Sequence, residues 1–156
     1  MQESGYSRRR HRLVWEVAVT VVAVDALGKA WALWALSESP RHLPGISLQL
    51  ALHTDAAWLG ARSAPLLAIF DALLVGMLAV LAREITTNRW ATAAGLAAGG
   101  AASDLIDRLA RPPGFLRGAV VHWIDIASLA SFNFADIALG LAAVLAAAMR
   151  RAHGHG

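Results

Sequence analysis

The chain has 156 residues, of which 57% are hydrophobic and 16% charged, and it contains no cysteine. Soluble domains are roughly 45–50% apolar, so the composition favours a membrane protein with one domain over residues 1–156. The lack of cysteine excludes disulfides, thiolate catalysis and Cys-ligated metal sites. The formal net charge is +3, but the arginines stand at the ends of apolar runs. This placement favours lipid headgroups over nucleic acid as partners.

Four apolar stretches are long enough to cross a bilayer, which needs about 20 mostly apolar residues per helix. They cover residues 13–36, 64–82, 90–106 and 132–149. The sequence therefore predicts an all-α membrane protein with four transmembrane helices.

The distribution of arginine predicts the orientation. Four spans place both termini on one side, which then carries eight arginines against five on the other. Cytoplasmic segments carry the excess of positive charge, so both termini are predicted to be cytoplasmic in a bacterial inner membrane. The eight are Arg8, Arg9, Arg10, Arg12, Arg83, Arg89, Arg150 and Arg151, and the five are Arg41, Arg62, Arg108, Arg111 and Arg117.

The two extracytoplasmic connections each contain a strand-like segment. Residues 46–52, "ISLQLAL", alternate apolar and polar side chains, and residues 119–126, "AVVHWIDI", are rich in β-branched residues. Both patterns predict strands. We expect a small β-element on this face, and the functional site with it.

Charged residues inside the first two spans need partners, because a charge in a membrane helix costs about 2.5–3.5 kcal/mol. Asp25 and Lys29 are four residues apart and can form an ion pair within one helix. This pair is interpreted as structural. Asp71 and Glu16 have no evident partner and are interpreted as packing or snorkelling residues.

The third span combines small residues with a charged end. The glycines of "GLAAGG" (95–100) permit close helix contact. In "SDLIDR", Asp104 and Asp107 lie one turn apart and Arg108 follows directly. An arginine next to two carboxylates is typical of a clamp that holds a loop to a helix end.

The strongest cluster of polar residues follows the third span. Asn133 and Asp136 lie one turn apart near the start of the fourth span, and His122 and Asp125 precede them on the same membrane face. A lone Asp in the first turn of a helix is commonly a favourable dipole contact. His122 and Asp125 nearby favour a site in which paired ionisable groups activate water.

Five motifs resemble those of the lipoprotein signal peptidase (signal peptidase II) family over almost the whole chain. The motifs are "DALGKAW" (25–31), "HTDAAWLG" (53–60), "GGAASDLIDR" (99–108), "VVHWID" (120–125) and "FNFADIALG" (132–140). The resemblance implies a four-span aspartic endopeptidase that cleaves signal peptides from diacylated prolipoproteins in the bacterial inner membrane.

The departures from the family pattern fall near the implied chemistry. The family's two catalytic aspartates correspond to His122 and Asp136, so one carboxylate is replaced by an imidazole. Asp104 stands where the family has Asn, Gly28 where it has a hydroxyl residue, and His53-Thr54-Asp55 where it has Asn-x-Gly. The chain is therefore expected to be a diverged member.

We expect His122 and Asp136 to cleave the peptide as an altered dyad, because neutral His beside ionised Asp has the same net charge as two carboxyls that share one proton. Asn133, Asp104, Asp107 and Arg108 are expected to support the site, and Asp25 and Lys29 to hold the first helix.

Asp125 can replace the missing carboxylate only if the strand shifts register. Its odd offset from His122 places it on the opposite face of an extended segment.

Two other functions remain open. The first is a catalytically inactive membrane protein that captures lipoproteins, lipids or signal peptides, and the second is a small transporter using Asp25, Lys29 and Asp71. No metal or organic cofactor is implied. The expected partners are a diacylated prolipoprotein and membrane lipid, with no nucleic acid, and the protein is expected to be a monomer.

Overall fold

The computed structural model describes residues 3–54, 63–126 and 130–153. They form four helices and four strands in the order α1, β1, β2, α2, α3, β3, β4, α4. The bounds are α1 Glu3–Ala35, β1 Arg41–Leu43, β2 Ile46–His53, α2 Ala64–Leu81, α3 Asn88–Ala110, β3 Val120–Ile126, β4 Ala130–Phe132 and α4 Phe134–His153. Each predicted span therefore contains a helix, although α1 begins ten residues earlier than the apolar run and α3 is longer at both ends.

Two of the described helices are long and apolar enough to cross a membrane. They are Ser7–Ala35 in α1, with mean hydropathy 1.5, and Ala64–Leu81 in α2, with mean hydropathy 2.3. Within α2 only Ala64 and Ala68 are buried, and large apolar side chains such as Phe70 and Leu73 are exposed. Helices α3 and α4 are rich in alanine and glycine and do not meet the same criterion. Four membrane spans therefore stay a prediction.

Helix α3 is the centre of the bundle, since it contacts α1, α2 and α4. The glycines of α3 allow the neighbouring helices to approach its backbone closely. A Cβ added at Gly95 would lie 2.7 Å from the carbonyl oxygen of Val14, and one at Gly99 would lie 2.7 Å from that of Ala18. A Cβ at Gly100 would meet the backbone of α4. The close helix contact predicted from "GLAAGG" is confirmed.

Replacing Gly95 with Ala is expected to destabilise the protein by about 1–3 kcal/mol, the usual cost of forcing extra atoms into a packed interface. The backbone oxygen of Val14 cannot move without moving α1. Gly76→Ala in α2 is the matched control, because nothing lies within 4 Å of its added Cβ. The control should gain stability, as alanine favours a helix by about 0.5–1 kcal/mol over glycine. Thermal unfolding in detergent measures both, and equal effects at the two positions would contradict this packing.

The strands form one antiparallel sheet in the order β1-β2-β3-β4. Both predicted strands are present, as β2 and β3. Ala51 of β2 pairs with His122 of β3, and the register shifts between Leu48 and Ala51. The sheet contacts α1 and α3, so it covers the helix ends that carry the polar residues.

Aromatic side chains hold β3 against α1 and α4. Trp123 lies edge-on to Trp31, with ring centroids 5.4 Å apart, and edge-on to Phe134, at 5.0 Å. The ring of Phe134 lies 2.7 Å from where a Cβ on Gly28 would be. This contact explains why glycine stands at position 28, where the signal peptidase motif has a hydroxyl residue.

Candidate active site

Lys29 is at the centre of a buried ionic cluster between α1 and α3. Its Nζ lies 2.6 Å from Oδ2 of Asp25, 2.9 Å from Oδ2 of Asp107 and 3.2 Å from Oδ1 of Asp104. The Lys29 side chain is 2% exposed, so this charge depends on the three carboxylates for compensation. The predicted Asp25–Lys29 pair is present and is part of a larger network.

Asp25 joins three helices. Its Oδ2 accepts a hydrogen bond from Ser103 Oγ at 2.6 Å, and its Oδ1 accepts one from the backbone N–H of Ala135 at 3.0 Å. The second bond satisfies one of the unpaired donors at the start of α4. The cluster therefore fixes where α4 begins, next to Asp136.

Asp71, expected to lack a partner, forms an ion pair. Its Oδ2 lies 3.4 Å from Nε of Arg108, so α2 is tied to α3. Glu16, for which no partner was evident in the sequence, also has one, since Arg12 donates to it at 2.7 Å one turn away. The Asp71 contact depends on the packing of α2 against α3, which the apolar pattern does not specify. The four-residue spacing of Arg12 and Glu16 was available in the sequence and was missed.

Arg108 also holds the polypeptide after β2. Its Nη1 donates to the carbonyl oxygen of Thr54 at 3.1 Å, which agrees with the predicted clamp of a loop to a helix end. The "SDLIDR" motif suggested that Arg108 pairs with Asp104 and Asp107, but Arg108 contacts Asp71 and Thr54. Asp107 bonds Arg111 instead, at 2.6 Å.

Asn133 and Asp136 form a reciprocal cap on α4. The Asn133 side chain accepts from the backbone N–H of Asp136 at 2.9 Å, and the Asp136 Oδ2 accepts from that of Asn133 at 2.9 Å. Each side chain thus satisfies the other residue's free donor, as in a capping box. Asn133 Nδ2 also donates to Asp104 Oδ1 and to the Val121 carbonyl oxygen, both at 3.3 Å. The carboxylate of Asp136 is therefore held in place by its hydrogen bond from the backbone of Asn133.

His122 lies directly against this carboxylate. Its Nε2 is 3.3 Å from the Asp136 Oδ2, and the two side chains are 14% and 27% exposed. The two residues implied by the family resemblance therefore meet at the edge of the buried network, where both side chains are partly exposed to solvent. An imidazole and a carboxylate at this distance can share or transfer a proton.

His53 is a third member of the group that the sequence did not predict. Its Nδ1 is 3.1 Å from Nδ1 of His122, with the two rings edge-on at 5.0 Å. The residue is exposed and lies on β2, diagonally across from His122. No sequence signal indicated this contact, because the predicted strand ended at Leu52. In the structure β2 extends to His53, and antiparallel pairing with β3 brings the two histidines together.

His53 is exposed at the surface, but the part of its ring that the protein covers is desolvated, and this lowers its pKa below the ordinary value of 6.5. The neighbouring His122 lowers the pKa further, although Asp125 and Asp136 oppose this. Because the folded protein binds a proton on His53 less readily than the unfolded chain does, the free energy of unfolding is larger at pH values above the unfolded pKa of His53. This added stability is lost as the pH falls through 6.5 towards the lower folded value.

Asp125 does not join the pair. Its carboxylate accepts a hydrogen bond from Gln49 and lines a small cavity of about 240 Å³ with Ser47, Ala130 and Ser131. This separation from His122 agrees with the odd offset in an extended strand. Asp55, the other carboxylate noted beside His53, lies outside the described residues.

Comparison with known proteins identifies the family of the chain. The model of the family described as signal peptidase (SPase) II matches residues 17–150. The chain belongs to the signal peptidase II family. The lipoprotein signal peptidase of Streptomyces griseus is 33% identical over 147 residues, which cover 91% of this chain and 74% of the relative. That of Mycobacterium avium is 34% identical over 133 residues, covering 82% and 72%.

Solved structures resemble this signal peptidase II fold. Two bacterial membrane enzymes determined by the in meso method, at 1.9 and 2.3 Å resolution, superpose with TM-scores of 0.73 and 0.70. Both are 22% identical in sequence, and they cover 87% and 85% of this chain and 90% and 83% of their own. The mostly helical membrane fold with a small sheet is therefore shared.

Proposed function

We propose that this signal peptidase II protein cleaves signal peptides from diacylated prolipoproteins by means of an altered dyad of His122 and Asp136. The observation that carries the proposal is the 3.3 Å contact between His122 Nε2 and Asp136 Oδ2 at the border of the buried network. Family membership supplies the reaction, and this contact supplies a pair of groups able to perform it.

The charge of the pair suits the reaction. Two carboxyls that share a proton have a net charge of −1. Neutral His122 beside ionised Asp136 has the same net charge, and an imidazole accepts protons near pH 7. Water attacks the scissile carbonyl carbon, its proton passes to an imidazole nitrogen, and the imidazolium returns a proton to the leaving amine. Asp136 stabilises the imidazolium that forms between these steps.

The remaining residues keep the dyad in position. Asn133 caps α4 together with Asp136, and Asp25 bonds the same helix end. Lys29 neutralises the carboxylates beneath it. In this proposal the four helices cross the bacterial inner membrane as one domain, with both termini in the cytoplasm. The sheet then lies at the extracytoplasmic surface, where lipidated substrate is found.

The test is cleavage of a diacylated prolipoprotein by the purified protein in lipid vesicles, followed by the gel shift of the product. Wild type should release the signal peptide, and Asp136→Asn should lower the rate by at least about 100-fold, the lower range for losing a group in proton transfer. Asparagine keeps an oxygen that can accept from the Asn133 N–H, so the cap and the fold should survive.

Two results would contradict the proposal. Equal cleavage by wild type and Asp136→Asn would remove Asp136 from the chemistry. Substrate that binds wild type and stays intact would instead establish the capture function, in which the signal peptidase groove holds a lipoprotein without cutting it.

A further inference from the structure

The neighbours of His122 and His53 determine which ring nitrogen of each histidine carries the proton. Ionised Asp136 can only accept a proton-bearing neighbour, so its Oδ2, 3.3 Å from Nε2 of His122, favours the tautomer of His122 with the proton on Nε2. The Nδ1 of neutral His122 then carries a lone pair. Since it lies 3.1 Å from Nδ1 of His53, that nitrogen of His53 must carry the proton. The Nε2 of His53 is left as the free basic nitrogen.

We propose that His53 is the general base of the reaction, and that His122 connects it to Asp136. This inference rests on the proposed peptidase function and adds a residue to its site. In the resting protein both nitrogens of His122 face a neighbour, Nε2 at 3.3 Å from Oδ2 of Asp136 and Nδ1 at 3.1 Å from Nδ1 of His53. Within the described part of the chain, no hydrogen bond to Nε2 of His53 is present, and the residue is exposed.

The reaction balances with His53 as base. Nε2 of His53 takes a proton from water while the water oxygen forms a bond to the scissile carbonyl carbon. The positive charge on His53 is stabilised through His122 by Asp136. When the C–N bond breaks, the proton leaves His53 for the amine of the departing peptide. His53 is neutral again, and no other reactant is required.

The groups around His53 agree with this role. His122 faces it from β3, and the carboxylates of Asp125 and Asp136 act on it from β3 and α4. Arg108 of α3 holds the carbonyl of the adjacent Thr54. Partial desolvation is the largest cause of the lowered pKa of His53, and a pKa below 6.5 agrees with a ring that can accept a proton at pH 7.

The proton order can be measured without any activity assay. In ¹⁵N-histidine NMR spectra of the wild-type protein in detergent, His53 should be the Nδ1–H tautomer and His122 the Nε2–H tautomer. Asp136→Ala should abolish this preference in both rings, because it removes the oxygen that lies 3.3 Å from Nε2 of His122. The reverse tautomers in wild type would overturn the proposal.

Cleavage kinetics test the role as base. His53→Asn keeps a side chain that donates to His122 but removes the basic nitrogen, so kcat should fall about 100-fold or more with little change in KM. Added imidazole should restore part of the rate to His53→Ala. His42→Asn in β1 is the matched control and should behave as wild type.

The outcomes separate the two proposals. If wild type cleaves and His53→Asn keeps its rate and pH dependence, His53 is not the base, while the function of the dyad stands. If wild type does not cleave at all, the proposed function fails and the catalytic role of His53 fails with it. The NMR spectra then still show whether His53, His122 and Asp136 are connected by hydrogen bonds in the order proposed.

Discussion

Replacement of Lys29 by Met is expected to destabilise the protein by about 3–5 kcal/mol, the usual cost of removing one partner from a buried ion cluster. The carboxylates of Asp25, Asp104 and Asp107 would lose the cation that lies within 3.2 Å of all three. Asp25 is fully buried and cannot be compensated by water. Chemical denaturation in mild detergent, followed by tryptophan fluorescence, measures the loss.

The matched control is Arg12→Met in the same helix. The Arg12–Glu16 pair has the same four-residue spacing and a similar N–O distance of 2.7 Å, but both side chains are largely exposed. Exposed pairs contribute about 0–1 kcal/mol. Asp104→Asn should recover part of the stability lost in Lys29→Met, because it removes one uncompensated charge. Equal losses in Lys29→Met and Arg12→Met would show that the buried cluster does not hold the helices together.

Replacement of His122 by Asp is expected to lower the cleavage rate by about 100-fold or more, the range for loss of a proton-transfer group. This change reproduces the residue implied by the family resemblance, yet it removes the imidazole that contacts both Asp136 and His53. The shorter aspartate leaves the Nδ1 of His53 without its acceptor. It also places a second carboxylate beside Asp136, which forces the two to share a proton.

The opposite result is equally informative. A gain of cleavage in His122→Asp would mean that the scaffold still fits two aspartates and that histidine inactivated it. Such a gain would favour the capture function for the natural protein. His122→Gln serves as the control, since it removes both imidazole and charge and should be inactive in either case.

The sequence predicted most elements of the fold because their signals are local. The apolar runs identified the helices, alternation identified β2, and β-branched residues identified β3. The glycines of 95–100 indicated the close packing of α3. The four-residue spacing of Asp25 and Lys29 was enough to predict their ion pair. The resemblance to the family then indicated that His122 and Asp136 would meet.

The remaining contacts depend on tertiary geometry. The pairing of Asp71 with Arg108 requires the rotation of α2 against α3, which an apolar helix does not encode in its sequence. The contact of His53 with His122 depends on the register shift in β2 between Leu48 and Ala51. One residue more or less in that strand would turn His53 to the other face.

The pH dependence of kcat/KM for signal-peptide release by the wild-type protein, between about pH 4.5 and 8, tests most directly whether imidazole performs this chemistry. Because His53 must be neutral to accept a proton and its pKa is lowered, the rate should rise with pH, reach half its maximum below pH 6.5 and remain high to pH 8. A rate that is highest in acid and is lost on approaching neutrality would indicate two carboxyls sharing a proton, and would contradict a His–Asp centre.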